Sequence, residues 1–245
     1  MKNIFKNKPA IGTLITLDSP EITEILSNSG FDWLFLDMEH GVISTAAVQR
    51  LLQSKEKSCP AFVRIPDNNS TWIKKALDTG CEGIIVPQIK NVADVRVAVK
   101  AAKYPPVGER SVGIARAQGY GMSFKEYVAS ANSKVGLILQ IEHIDAVKNL
   151  DEILKEPGFD GIFIGPYDLS GSMNLLGEVS NNKVQDAIDE VKAKCKAKDV
   201  PFGIFVPMAE MVKKEIEDGC SFIAIGMDTM FLWNAAKDVV KKIKE

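Results

Sequence analysis

Gly30-Phe31-Asp32-Trp33-Leu34-Phe35-Leu36 joins the end of an amphipathic stretch to a short, continuously apolar run. Glycine just past a helix supplies the left-handed position that ends it. A brief apolar run without alternation fits a strand buried on both faces, as in a parallel sheet. The pattern returns as Gly80-Cys81-Glu82 before Gly83-Ile84-Ile85-Val86 and as Gly158-Phe159-Asp160 before Gly161-Ile162-Phe163-Ile164. It returns again as Gly219-Cys220-Ser221 before Phe222-Ile223-Ala224-Ile225. Helix followed by buried strand, repeated, is the signature of α/β architecture.

Filling the gaps between these copies predicts strands at 11–17, 32–37, 60–65, 83–87, 135–141, 160–164, 202–206 and 222–226. Helices are expected over 20–29, 44–56, 70–79, 91–103, 144–155, 181–198, 208–218 and 229–243. Pro20 suits a first helical turn, and Ser44, Ser70 and Asn91 suit N-caps. Eight strands alternating with eight helices suit a closed (β/α)8 barrel, and 245 residues match the roughly 250 of one such domain. The chain is therefore read as a single barrel domain over 1–245. A doubly wound open sheet is the structural rival, but no G-x-G-x-x-G follows the first strand. The stretch 104–134 fits no repeat unit. It holds a short helical piece near Phe124–Ala131 and is read as an excursion over the barrel mouth.

The hydrophobic fraction of 46% supports a sizeable core, and the net charge of −2 gives no reason to expect nucleic acid or an anionic membrane as partner. No apolar run approaches the roughly 18 residues of a membrane span. The basic start Met1–Lys8 lacks a following apolar core and cleavage site, so the chain reads as cytoplasmic. Cys59, Cys81, Cys195 and Cys220 form no C-x-x-C pair and no zinc-ligand spacing, and read as reduced, buried thiols.

In a barrel, catalytic groups sit where strands end and βα loops begin. The second strand ends in Asp37-Met38-Glu39-His40-Gly41 and the third at Arg64. The fifth ends in Gln140-Ile141-Glu142-His143 and the sixth in Gly165-Pro166-Tyr167-Asp168. Ionisable groups beside such apolar strands are costly unless paired or metal-bound. Glu142 and Asp168 lie one βα unit apart, and neighbouring strands are about 4.8 Å apart. Two carboxylates so placed can share one divalent cation, Mg²⁺ or Mn²⁺ with Co²⁺ as a further candidate. Each carboxylate alone could instead be a helix cap or a surface ion pair.

His40 beside this rim suits proton transfer near neutral pH. Arg64 could clamp a carboxylate or an oxyanion with its planar fork, or pair with a rim carboxylate. Asp37 and Glu39 could orient Arg64 or His40 or cap the next helix, while strand alternation turns His143 away from Glu142. None of the predicted strands contains a lysine, which disfavours a Schiff-base aldolase. The seventh and eighth strands end without a glycine-rich loop, which disfavours a phosphorylated substrate.

Phe31-Asp32-Trp33-Leu34-Phe35-Leu36-Asp37-Met38-Glu39-His40-Gly41 resembles the D-x-E-H segment of the HpcH/HpaI aldolase family, the class II pyruvate aldolases. Val63-Arg64, Tyr104-Pro105-Pro106-Val107-Gly108-Glu109-Arg110-Ser111-Val112-Gly113, Gln140-Ile141-Glu142 and Gly165-Pro166-Tyr167-Asp168-Leu169-Ser170 match further segments in order. The resemblance implies a (β/α)8 fold and reversible, metal-dependent aldol cleavage of a 4-hydroxy-2-oxo acid to pyruvate and an aldehyde. It implies that Glu142 and Asp168 are the metal ligands. It also implies that Gln140 and the backbone of Tyr167 and Asp168 contact the pyruvoyl group, and that Arg64 stabilises the enolate oxygen. His40 would be the acid/base, with Asp78 of a neighbouring subunit raising its basicity; from the residues alone Asp78 reads as a helix-end surface group. The resemblance further implies a homohexamer with an exchanged C-terminal helix at 229–243. Many members carry a small residue where this chain has Tyr167. Two rival functions remain at this point: a CoA-thioester lyase of the citrate-lyase type, for which no basic groove is evident, and a non-catalytic barrel that binds a 2-oxo acid.

Overall fold

In the computed structural model, which describes residues 9–244, the repeated glycines end helices as their positions require. Gly30 (φ 94°) and Gly158 (φ 103°) occupy the left-handed region, where a Cβ is penalised. The acid two residues on has a role that spacing alone did not reveal. Asp32 Oδ2 accepts the N–H of Ile11, Glu82 Oε2 that of Ala61 and Asp160 Oδ2 that of Leu137, at 2.8–3.0 Å. Each carboxylate thus satisfies a backbone donor at the start of the preceding strand, where the ladder leaves it without a carbonyl.

The strands are β1 (Ala10–Ile15), β2 (Trp33–Asp37), β3 (Ala61–Arg64), β4 (Gly83–Val86), β5 (Gly136–Ile141), β6 (Gly161–Ile164), β7 (Phe202–Val206) and β8 (Phe222–Met227). They pair in parallel in sequence order, and β8 closes on β1, so the expected (β/α)8 barrel is present and the open sheet is not. The first helices are α1 (Pro20–Ser27), α2 (Thr45–Ser54), α3 (Ser70–Asp78) and α4 (Val92–Ala102). After them come α5 (Phe124–Lys134), α6 (Ile144–Lys148), α7 (Leu150–Ile153) and α8 (Pro166–Ser172). The last are α9 (Asn182–Ala197), α10 (Val212–Glu217) and α11 (Asp228–Lys244). The basic start at 1–8 lies outside the described residues.

Several expectations are corrected. Asn69, not Ser70, caps α3, because its side chain accepts the N–H groups of Thr71 and Trp72. The helix expected over 144–155 is two helices that meet at Asn149. The helix expected over 208–218 opens with a tight turn at Ala209–Met211 before α10. The stretch 104–134 does not cover the mouth. Arg116 donates to the carbonyls of Thr79 (2.8 Å) and Leu52 (3.3 Å), at the C-terminal ends of α3 and α2. Helices of βα units run back antiparallel to their strands, so these ends lie at the opposite rim, where strands begin. The excursion leaves from α4 and returns into β5, both at that rim, so nothing carries it to the mouth.

Strand alternation divides the core in two. One set of side chains packs between sheet and helices. The other fills the lumen, where Trp33, Phe35, Phe62, Phe163 and Phe222 form a plug of edge-to-face and stacked rings. Facing glycines make room for it. A Cβ on Gly12 would lie 2.5–2.6 Å from the Trp33 indole, and one on Gly136 would lie 2.7 Å from the Phe62 ring. Large and small residues alternate around the lumen as a filled barrel demands.

At the C-terminal end of the chain, Asp228 accepts the backbone N–H groups of Thr16 and Leu17 and the Thr16 hydroxyl, at 2.7–2.9 Å, and ties β1 to the start of α11. Beyond Asp228 the helix buries almost nothing against its own barrel: Leu232 is 62% exposed, Trp233 71% and Ile243 78%.

Because Trp33 is fully buried and cannot swing aside, Gly12→Ala is expected to cost about 1–3 kcal/mol by overpacking. The urea midpoint measures it, and an unchanged midpoint would show that the plug is not tightly packed.

Candidate active site

The lumen parity that builds the plug also aims the polar groups. Above Phe35 comes Asp37, above Phe62 comes Arg64, and above Ile138 come Gln140 and Glu142. The β2–β3 register sets Asp37 directly opposite Arg64. The pair is bidentate, with Arg64 Nε donating to Asp37 Oδ1 at 2.9 Å and Nη2 to Oδ2 at 2.6 Å. Glu39 Oε2 lies 3.2 Å from the same Nε. Burial alone would raise the Asp37 pKa, but the hydrogen bond and charge of Arg64 and the N–H groups of His40 and Glu39 outweigh it and hold the carboxyl below its ordinary range. Asp37 therefore clamps Arg64 and shapes the loop that carries His40. Of the readings open from sequence, the ion pair and the orienting role of Asp37 are both present.

Glu142 is 1% exposed and Gln140 is equally buried. The Gln88 N–H donates to Glu142 Oε1 at 2.7 Å, and the Gln140 amide donates to Oε2 in a very short contact. Gln88 adopts a left-handed backbone (φ 56°) while making that bond. Gly165, at the end of β6, leaves the space this carboxylate needs: a Cβ there would lie 2.9 Å from Glu142 Cβ and 3.1 Å from Oε2. Burial, with the charge of Asp168, pushes the Glu142 carboxyl above its ordinary range against the pull of Gln88 and Gln140. Gln140 Oε1 is buried with no hydrogen-bond partner in the protein, which is costly unless a ligand or its water completes it.

β6 ends at Ile164, as the sequence predicts, and Asp168 follows in the strand exit. Pro166 occupies the first position of α8, and Asp168 lies in that helix's first turn, exposed to solvent. β5 and β6 are hydrogen-bonded neighbours as expected. Asp168 lines a cavity of about 360 Å³ together with Asp37, His40, Arg64 and Gln140. Most of the remaining wall is apolar, from Leu14, Phe35, Phe163, Phe205 and Met227, with Thr16 and the half-exposed Tyr167 beside them. His40 is exposed on this rim. His143 caps α6 by accepting the Asp145 N–H, in line with its structural reading. Asp78 is not brought to the cavity. It ends α3 at the far rim and pairs with Arg110 at 2.7 Å, beneath the rings of Tyr104 and Tyr127.

The fold and the sequence have counterparts among known proteins. The profile of the HpcH/HpaI aldolase/citrate lyase family matches residues 11–235. The chain belongs to that family. It is 37% identical to a 4-hydroxy-2-oxo-heptane-1,7-dioate aldolase of Escherichia coli, covering 97% of this chain and 93% of that one. It is 35% identical to a 4-hydroxy-2-oxovalerate aldolase of Novosphingobium aromaticivorans, with 96% and 90% covered. It is also 36% identical to a 2-dehydro-3,6-dideoxy-6-sulfogluconate aldolase of Pseudomonas putida, with 96% and 92% covered. Among solved structures, an HpcH/HpaI aldolase/citrate lyase family protein from Burkholderia cenocepacia superposes with a TM-score of 0.96 at 29% identity, covering 100% of this chain and 98% of that one.

Within this HpcH/HpaI member, sequence reasoning missed Gln88, whose part is played by the backbone, and Gly165, whose part is to be small. The apolar wall of Phe205 and Met227 was also missed, although both residues stand at strand ends. Among the described residues no third His, Cys, Asp or Glu joins a metal-binding cluster. Two carboxylates with open positions still fit a hard cation that keeps water or substrate oxygens as its other ligands.

Burial raises the Glu39 pKa to about 7, against the pull of Arg64. A carboxyl raised in the folded state binds more protons folded than unfolded between its two pKa values, so stability falls as pH rises through that window. In EDTA, Glu39→Gln is expected to match the parent near pH 4.5 and to exceed it at pH 8 by on the order of 2 kcal/mol. Urea midpoints across that range measure it, and parallel pH profiles would contradict it.

Proposed function

We propose that this chain catalyses reversible aldol cleavage of a 4-hydroxy-2-oxo acid to pyruvate and an aldehyde. The observation that carries the reading is a fully buried carboxylate, Glu142, beside the exposed Asp168 of the next strand exit, in a lumen that also presents Arg64 and Gln140. Membership of a family whose similar members are aldolases supports it.

The residues fit a divalent cation, Mg²⁺ or Mn²⁺ with Co²⁺ as a further candidate, held by Glu142 and Asp168. The cation would supply Lewis acidity toward the enolate oxygen. The Gln140 amide and the first-turn backbone of Tyr167 and Asp168 position the 2-oxo acid end. Asp37 takes the Arg64 Nε–H and one N–H of Nη2, and Glu39 adds only its charge, which leaves the other N–H groups of the fork to stabilise the enolate oxygen. His40 takes the C4 hydroxyl proton. The C3–C4 bond breaks, the aldehyde carbonyl forms, and the bonding pair becomes the enolate, whose C3 then takes a proton to give pyruvate. Asp78, far from the cavity of its own chain, would serve the His40 of a neighbouring subunit.

The exposed apolar residues of α11 support assembly with further copies of this chain, a hexamer by resemblance. The four free, buried cysteines suit a reducing compartment, the cytoplasm. No helix among the described residues is long and apolar enough to cross a membrane. The citrate-lyase alternative gains no particular support, since Arg64 is the one fixed cation among the described residues lining the cavity.

Deuterium exchange into the pyruvate methyl group, followed by NMR, is expected with Mn²⁺ or Mg²⁺ and is expected to stop in EDTA. Glu142→Gln should lose Mn²⁺ binding as well as exchange, and Arg64→Lys should lower kcat roughly 10²-fold. Undiminished exchange in EDTA would refute the metal assignment. Light scattering on the purified protein is expected to return a mass well above that of one chain, and a monomer would refute assembly through α11.

A further inference from the structure

The cavity is sharply divided. Its polar groups come from the exits of β2, β3, β5 and β6: Asp37, His40, Arg64, Gln140 and Asp168. The arc from β7 through β8 to β1 contributes Phe205, Met227, Leu14 and Thr16. The Thr16 hydroxyl is already committed to Asp228 Oδ1 at 2.7 Å. Tyr167 leans across from the first turn of α8 onto Phe205, with ring centroids 6.3 Å apart and planes at 56°. It is 46% exposed, so the face that does not meet Phe205 is open to solvent and to a ligand.

The charge balance of the cavity is equally one-sided. Arg64 is its one fixed cation among the described residues, and Asp37 and Glu39 both hold it. The cation proposed for Glu142 and Asp168 meets their charge, so a second anionic group on the ligand finds no countercharge on the arc from β7 to β1. Among the described residues of one chain, this arc would offer a second carboxylate on the ligand no cation, and the Tyr167 hydroxyl as its one uncommitted side-chain donor. Desolvating an unpaired carboxylate costs several kcal/mol or more, whereas an aromatic pair rewards an apolar or aromatic group.

We propose that the acceptor half of this site takes an uncharged, apolar or aromatic aldehyde, and that Tyr167 and Phe205 form the wall that selects it. The proposal rests on the aldolase reading above and sharpens it. It separates this chain from its relatives named for a heptane-1,7-dioate and for a sulfogluconate, both of which carry a second anionic group. In the synthetic direction the pyruvate methyl group loses a proton, its carbon bonds to the aldehyde carbon, and the carbonyl oxygen takes the proton. No further reactant is consumed.

The test compares aldehydes of one shape and different charge. With the full-length protein, Mn²⁺ and pyruvate, kcat/KM is measured for 4-methylpentanal and for 4-oxobutanoate, in which a carboxylate replaces the isopropyl end. Benzaldehyde and acetaldehyde complete the set. The expected result is a tenfold or greater preference for 4-methylpentanal over 4-oxobutanoate. Phe205→Arg is expected to shift that ratio at least tenfold toward 4-oxobutanoate. Tyr167→Ala is expected to lower kcat/KM for benzaldehyde several-fold more than for acetaldehyde. Metal-dependent exchange of the pyruvate methyl protons needs no aldehyde and tests the aldolase reading separately. If exchange is absent, that reading fails. If exchange proceeds and 4-oxobutanoate is the better acceptor of the parent protein, the acceptor proposal is overturned, whatever the variants do.

Discussion

Glu142 sits at the top of a lumen sealed below by aromatic rings, and a carboxylate there is stable only with a proton, a cation or several donors. The protein supplies two donors, from Gln88 and Gln140, and they do not offset the burial. Much of the surrounding structure answers to that constraint. Gly165 stays small to admit the carboxylate. Gln88 holds an unusual backbone conformation while delivering its N–H. Asp168 adds a second negative charge instead of relieving the first. A group that is uncomfortable alone and is given a like-charged neighbour suits the cation proposed for this site.

The other half of the polar rim solves the same problem internally. Asp37 and Arg64 are set side by side by the β2–β3 register, and each neutralises the other before any ligand binds. Breaking such a buried pair is costly, so the guanidinium holds a fixed orientation. Fixed donors need no reorganisation when charge develops on a substrate oxygen. One rim therefore carries a preset cationic side chain and an unmet anionic pocket, both aimed by the same two-residue alternation that packs the plug beneath them.

That alternation is why so much was legible in the sequence. Continuous apolar runs after glycine reveal the strands, and a polar residue that follows an apolar lumen residue by two positions shares its direction. Asp37, Arg64, Gln140 and Glu142 could be found in this way because their roles are expressed by side chains at strand ends. Other contributions left no such mark. The part played by Gln88 belongs to its peptide N–H, which every residue but proline has. Gly165 contributes absence of a side chain, and Asp78 makes its contacts in a different part of its own barrel. The 104–134 stretch was misplaced because length alone suggests a lid, while its actual anchor is a set of carbonyls at helix ends, to which Arg116 is one of many possible donors.

The two halves of the cavity also differ in how firmly each is built. The side proposed for pyruvate rests on strand ends, bidentate pairing and buried donors, all held by the barrel ladder. The acceptor side is closed by Tyr167, in the first turn of a short helix, and by Phe205, Met227 and Leu14, which make no directional bonds to a ligand. Changing Tyr167 or Phe205 alters shape and polarity without disturbing the clamp on Arg64 or the donors to Glu142. A barrel organised this way keeps one half-reaction constant while the other partner varies with a few side chains. The similar aldolases named for different substrates accord with that division, since they share the barrel while their substrates differ in the part that would face this wall.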